Sequence, residues 1–225
     1  MLTKGGTFVD NPLRDVDLYA LTSEEHSLGR SNLDVVQAML DAGVKLVQYR
    51  EKKKTPVQKL QECEIIRALT SRYGALFVVN DDVALAQVVD ADGVHVGQDD
   101  LPVPAIRKLL GSGKIIGLST QTRQEAVDAL SLGVDYIGVG PIYATRTKED
   151  ACAPVGLDLL TWVLQNVALP VVAIGGIKES NIAEVVRHGA RCMAMVSEIV
   201  SKPDIGHQVR MLRRIMHTAL QEAQQ

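Results

Sequence analysis

The sequence predicts an α/β protein built as a single (β/α)8 TIM barrel. Three observations predict it: eight short apolar runs, helix-period stretches between them, and glycines at helix-to-strand junctions. Spread over eight units, 225 residues give about 28 per unit, an ordinary spacing for this barrel. A doubly wound open sheet would use the same units. The count of eight, with no linker, low-complexity tract or composition break, favours the barrel. One domain is expected over 1–225, with the barrel core at about 17–200. Residues 1–16 form an N-terminal extension, and a C-terminal helix covers about 205–222.

The runs fall at 18–21, 46–49, 76–79, 94–96, 115–118, 136–139, 171–174 and 193–196. Most are continuous instead of alternating, as expected of parallel strands buried on both faces. After the first run, 32–41 places Leu33, Val36, Met39 and Leu40 on one helical face. A helix starting near Pro56 precedes the third run, and the helix after Asn80 is short. Stretch 122–132 gathers Ala126, Val127 and Leu130 on one face. The sixth run leads into a long loop, 140–155, a candidate lid because long loops in compact domains are usually functional. Stretch 180–188 presents Ile182, Val185 and Val186 together. In the terminal helix Met211, Leu212 and Ile215 face inward, with Arg210, Arg213 and Arg214 on the wet side. "DAGVKLVQ", "DADGVHVG", "SLGVDYIGVG" and "RHGARCMAMV" each set a Gly before a strand, where helices end in a left-handed conformation.

Composition narrows the function. A hydrophobic content of 46% is too high for a disordered chain. No apolar stretch approaches the roughly 18 residues of a membrane span. A net charge of −3 argues against a nucleic-acid surface, and one Trp, two Phe and five Tyr are few for base stacking. Cys63, Cys152 and Cys192 form no C-x-x-C pair and read as thiols in a reducing compartment. Residues 1–16 lack the apolar core of a signal peptide and carry Asp10 and Asp15. A cytoplasmic setting is the expectation. The sequence is silent on oligomeric state.

Polar residues gather at the strand C-termini, where parallel α/β proteins carry their chemistry. The second strand ends in Gln48, Arg50, Glu51 and Lys52, the third in Asn80, Asp81 and Asp82, the fourth in Gln98, Asp99 and Asp100. The fifth ends in Ser119, the seventh in Gly175 and Gly176, the eighth in Ser197. Carboxylates on adjacent strands repel unless a cation sits among them. A small oxygen-only donor set suits Mg²⁺. Asp82 and Asp99 also suit helix capping, so each pair offers one cap and one ligand. Arg50 and Lys52 suit phosphate, whereas Lys53 and Lys54 read as a solvated loop. The "AIGGI" glycines, with Val196 and Ser197, suit the phosphate cradle that barrels build after strands seven and eight.

Other motifs carry less. "GSGK" at 111–114 precedes a strand and lacks the spacing of a P-loop. His95 reads as a packed barrel histidine. Cys152 has no evident base beside it, so it does not read as a nucleophile.

Seven segments resemble, in order, those of the thiamine-phosphate synthase family. They are "QYREK" (48–52), "VVNDD" (78–82), "GVHVGQDD" (93–100), "GLST" (117–120), "GVGPIYATRTKED" (138–150), "PVVAIGGI" (170–177) and "MVSEI" (195–199). The resemblance implies a single barrel joining hydroxymethylpyrimidine diphosphate to thiazole phosphate with Mg²⁺. The products would be thiamine phosphate and pyrophosphate. It implies that Gln48, Arg50, Lys52 and Asn80 hold the pyrimidine diphosphate and that Asp81 and Asp100 ligate the metal. Ser119 would lie near the pyrophosphate. Thr145 and Thr147 would hold the thiazole phosphate, with Lys148 bridging to the diphosphate. Gly175, Gly176, Val196 and Ser197 would complete the thiazole-phosphate cradle. Arg146, between the two threonines, is a minor departure from the pattern.

Arg50, Lys52, Lys148 and Ser119 are thus the candidate catalytic residues, stabilising charge as the diphosphate leaves. The implied mechanism is dissociative, through a methylene cation, and needs no protein nucleophile. The rivals are a barrel that isomerises the thiazole or a non-catalytic regulatory relative. Neither needs the whole charged constellation. A binding module with an unused barrel is disfavoured on the same ground.

Overall fold

The structure, a computed structural model, describes residues 12–145, 147 and 152–223. Eight parallel strands close into a barrel in chain order: β1 (Leu18–Leu21), β2 (Leu46–Tyr49), β3 (Leu76–Asn80), β4 (Gly93–Val96), β5 (Ile115–Thr120), β6 (Tyr136–Val139), β7 (Val171–Ile174) and β8 (Cys192–Met195). Leu18 lies opposite Met193, so the last strand pairs with the first and no edge is left. The apolar runs mark the strands to within one or two residues. Asn80, Ser119 and Thr120 are added because the ladder continues into the polar mouth. Val196 is lost because it turns away to begin a helix.

Two cores follow from side chains alternating across each strand. One set, including Ala20, Val47, Phe77, Val94, Ile137 and Met193, packs outward against helices. The other, Tyr19, Leu46, Val78, Tyr136, Val172 and Cys192 with Leu13 and Val16, fills the barrel. Burial on both faces is why the runs read as continuous.

The helices are α1 (Asn32–Asp41), α2 (Pro56–Tyr73), α3 (Val83–Val88), α4 (Val103–Leu110), α5 (Arg123–Leu132), α6 (Gly156–Asn166), α7 (Ile182–Arg187), α8 (Ser197–Val200) and α9 (Ile205–Glu222). Ser31 with Asp34, and Thr55 with Gln58, form capping boxes that start α1 and α2. The inward faces of α1 and α7 are largely as expected, though Val35 replaces the half-buried Leu33. The α5 face is not. Ala126 and Ala129 are buried, while Val127 and Leu130 are 41% and 47% exposed. Small alanines let the helix approach the sheet closely, which the apolar period does not capture. In α9, Leu212 and Met216 are buried, and Met211 and Ile215 sit at the margin.

Gly93 also departs from expectation. It lies inside β4 with ordinary φ, and a Cβ there would stand 2.2 Å from the Ile115 carbonyl oxygen. The left-handed residue of that junction is Asp90, at φ 52°.

Three aspartates lock the lower rim. Asp17, Asp92 and Asp135 precede β1, β4 and β6. They accept from the backbone N–H groups of Leu18 (2.7 Å), Phe77 (2.8 Å) and Ile116 (2.7 Å). Each also binds an arginine from the helical layer: Arg213 of α9 (2.6 Å), Arg67 of α2 (2.9 Å) and Arg107 of α4 (2.7 Å). Arg213 further donates to the carbonyls of Ala42 and Gly43. It is a clamp between α9 and the barrel floor, not part of a wet face; Arg210 and Arg214 are exposed.

These clamps lie opposite the strand C-termini, so they should matter for stability alone. Arg107→Ala is expected to lower stability by about 2 kcal/mol and Tm by about 4–8 °C. Turnover at room temperature should be unchanged. A melt by circular dichroism checks this; an unaltered Tm would show that the clamp contributes nothing.

Candidate active site

The C-terminal face of the barrel carries a pocket and, beside it, a charged rim. The pocket has a volume of about 730 Å³. Arg50 and Ser119 line one side of it. Thr145, Thr147, Gly175, Gly176, Val196 and Ser197 line the other. The glycine pair is required twice over. Gly175 and Gly176 have φ of 97° and 65°, which side chains rarely adopt. A Cβ on Gly175 would lie 2.4 Å from Pro141, and one on Gly176 2.6 Å from the Ala144 carbonyl oxygen. The chain after β6 is laid directly on β7: Ile142 N–H donates to Ile174 and Tyr143 N–H to Gly175. Thr147 Oγ1 lies 3.4 Å from Ser197 Oγ, bringing that loop to the head of α8. No side chain caps α8, so its first N–H groups are left for solvent or a ligand.

The rim beside the pocket carries further charges. Lys52 Nζ donates to Asp81 Oδ2 at 2.6 Å. Asp81 has φ 61°, and its N–H donates to the His95 carbonyl, which aims the carboxylate across the mouth. Asp100 Oδ2 accepts from Gly97 N–H at 2.7 Å. Desolvation, with the carboxylate of Asp81 close by, holds Asp100 above the usual carboxylate range; the Gly97 N–H and Lys52 offset only part of this. Asp82 Oδ1 accepts from Leu85 N–H and caps α3, which decides that pair: Asp82 is the cap and Asp81 faces the mouth. Asp99 is exposed and does not cap α4, whose N-cap is Pro102, without a side-chain cap. Among the described residues no three His, Cys, Asp or Glu cluster for a metal; the carboxylates that come close here are Asp81 and Asp100. Asn80 ends β3 opposite His95. Arg146 and Lys148 lie outside the described residues.

The model of the thiamine monophosphate synthase family matches residues 18–199. The chain belongs to that family. Thiamine-phosphate synthase of Pelotomaculum thermopropionicum is 56% identical over 204 residues, 91% of this chain and 94% of that protein. The enzyme of the same name from Dictyoglomus thermophilum is 51% identical over 203 residues, 90% and 91% of the two chains. Among solved structures, thiamine phosphate pyrophosphorylase from Pyrococcus furiosus matches with a TM-score of 0.83 at 33% identity, over 91% of this chain and 97% of that one. This chain is accordingly a transferase with thiamine-phosphate synthase activity.

Within this family member, the loop carrying Arg50 and Lys52 rests on a half-buried ion cluster. Lys54 is not solvated as the sequence suggested; it bridges Glu24 and Glu62, and its side chain is only 19% exposed. Glu62 also accepts from Tyr49 Oη (2.7 Å) and Asn32 Nδ2 (3.0 Å). Glu51 Oε1 accepts from Glu24 N–H, and Arg50 N–H donates to Thr22 Oγ1. Lys53 stays on the surface, where it meets Glu25. The run of basic residues hides these partners, because Glu24 comes from the preceding unit and Glu62 from two turns into α2.

Gln48 does not line the cavity. It is 2% exposed, inside the barrel, with Nε2 donating to Tyr19 Oη at 2.6 Å. Tyr19 Oη lies 3.0 Å from Tyr136 Oη, and Tyr136 Oη 2.9 Å from His95 Nδ1. His95 Nε2 reaches Ser119 Oγ at 2.9 Å. His95 is packed in the barrel, as its place in β4 implies, and its link to Ser119 joins residues too far apart in sequence to be read from it. The same holds for Tyr19 and Tyr136. The available signal was two phenols in otherwise apolar strands, since a buried hydroxyl needs a partner.

A pH-dependent test follows from Glu62. Burial would raise its pKa, but the bonds from Lys54, Tyr49 and Asn32 prevail and hold it below the usual range. Its stabilisation is therefore full above about pH 4.3 and is lost as pH falls through the lower folded value. Glu62→Gln should cost about 2 kcal/mol at neutral pH. That difference should vanish in acid. Urea melts of both proteins at several pH values check it, and a pH-independent difference would refute the charged pairing.

Proposed function

We propose that this chain condenses hydroxymethylpyrimidine diphosphate with thiazole phosphate, releasing pyrophosphate and thiamine phosphate. The observation that carries the reading is the grouping on the C-terminal face: a pocket of about 730 Å³ lined by Arg50, Ser119, the two threonines and the glycine pair, beside a rim where Lys52 meets Asp81 and Asp100 lies close by. Thr145, Thr147, the glycine pair, Val196 and Ser197 would hold the thiazole phosphate. Arg50 and Lys52 would hold the diphosphate, Arg50 as a planar fork and Lys52 as a point charge. Asn80 at the rim, and Gln48 beneath it, would position the pyrimidine. Lys148 would bridge the two phosphorylated ends, on the strength of the resemblance.

The donor set fits Mg²⁺. Asp81 and Asp100 are two hard oxygen donors close to each other, and a cation between them would relieve the repulsion of two carboxylates. When bound there, the ion would neutralise charge on the departing diphosphate. The protein's own part is to orient that group. Arg50 and Lys52 take up negative charge as the C–O bond breaks and its electron pair leaves with oxygen. The aminopyrimidine carries the resulting methylene cation, and the thiazole nitrogen supplies the pair for the new C–N bond. Ser119 would donate to the pyrophosphate. A thiazole isomerase or a regulator would have no use for Arg50, Lys52, Asp81 and Asp100 together.

Small phosphorylated substrates and three free thiols support a cytoplasmic setting. Among the described residues no helix is long and apolar enough to cross a membrane.

Incubation with both substrates and Mg²⁺ should yield thiamine phosphate; none at high enzyme concentration would overturn the assignment. Asp81→Ala and Asp100→Ala should each lower kcat by about 10²-fold or more without changing the circular dichroism spectrum. Wild-type rates at limiting Mg²⁺ would sink the metal assignment. Lys148→Ala should slow bond breaking in a single turnover, and an unchanged rate would remove it from the mechanism.

A further inference from the structure

The hydrogen-bond chain through the barrel interior links five side chains from five strands: Gln48, Tyr19, Tyr136, His95 and Ser119. Such a chain has only two self-consistent directions, because each hydroxyl and the imidazole passes one hydrogen and accepts another. Its direction is set at the end where a group can only donate. That end is Gln48, whose amide nitrogen faces Tyr19 at 2.6 Å. Tyr19 Oη then accepts, and donates to Tyr136 Oη. Tyr136 in turn donates to His95 Nδ1, so the imidazole hydrogen lies on Nε2 and is given to Ser119 Oγ. The serine oxygen is thereby occupied as an acceptor. Its own hydrogen is free to point into the cavity that Ser119 lines.

We propose that His95 and Tyr136 are positioning residues that fix Ser119 as a hydrogen-bond donor toward an anionic substrate oxygen. Turning the Gln48 amide over would reverse every bond and present a serine lone pair to the same anion. The reversed chain therefore opposes what a diphosphate needs. One further observation fits. Room for the pair is made by Gly117, where a Cβ would stand 2.1 Å from Tyr136 Cζ and 2.5 Å from His95 Nδ1. The inference rests on the proposed place of Ser119 beside the diphosphate, but its first test does not.

That test is the ring tautomer of His95 in the free wild-type protein, read from long-range ¹H–¹⁵N correlations. The expected result is a protonated Nε2 and a bare, accepting Nδ1. Hydrogen on Nδ1, alone or with Nε2, would overturn the proposal whether or not the protein makes thiamine phosphate. The second test is kinetic. Tyr136→Phe should lower kcat/KM for the diphosphate substrate about tenfold, the usual effect of losing a supporting hydrogen bond, and leave KM for the thiazole phosphate unchanged. In a Ser119→Ala background the same change should have no further effect. Losses that multiply would assign Tyr136 to structure alone and reject a role through Ser119.

Discussion

Closure of the barrel is the constraint on which the rest of this molecule depends. Once Leu18 pairs with Met193, every strand has two neighbours and all eight C-termini must emerge on one face. Alternation then sends each strand residue either to the helical layer or to the interior. Gln48, His95 and Ser119 point inward by this rule, and so do Tyr19 and Tyr136. The interior near the mouth therefore holds polar groups that only one another and a ligand can satisfy. Below them the space is apolar, sealed by Leu13 and Val16.

Charge is divided between the two faces by the same geometry. On the lower face Asp17, Asp92 and Asp135 each have a backbone N–H and an arginine, so their charges are spent on structure. On the upper face Asp81 and Asp100 stand near each other with Lys52 beside them. A net charge of −3 averages over both arrangements, which is why it excluded a polyanion surface yet said nothing about a phosphate pocket.

What the sequence made legible was whatever depends on neighbours along the chain. Strand positions, the Asp82 cap and the glycine pair all follow from local pattern. What it hid depends on partners from other units. Lys54 looked solvated because Glu24 lies 30 residues away. Arg213 looked wet because Asp17 lies at the other end of the chain. Val127 and Leu130 were assigned inward because period alone cannot tell a small residue that permits close approach from a large one that fills space.

Gly117 shows how the two kinds of information meet. In the segment "GLST" it reads as a routine strand residue before the serine that matters. In the barrel it lies on the same inner face as Ser119, opposite Tyr136. Any side chain at 117 would displace the phenol or the imidazole, and neither has room to retreat: Tyr136 is fully buried, and a Cβ on Gly138 would already stand 3.3 Å from the His95 ring. Glycine is needed at 117 for volume, not for backbone conformation. The cost is a weaker strand, since glycine loses more freedom on folding and packs nothing. A barrel selected for stability alone would fill that position. Leaving it empty makes sense when the tyrosine and histidine that occupy the space do something more than pack.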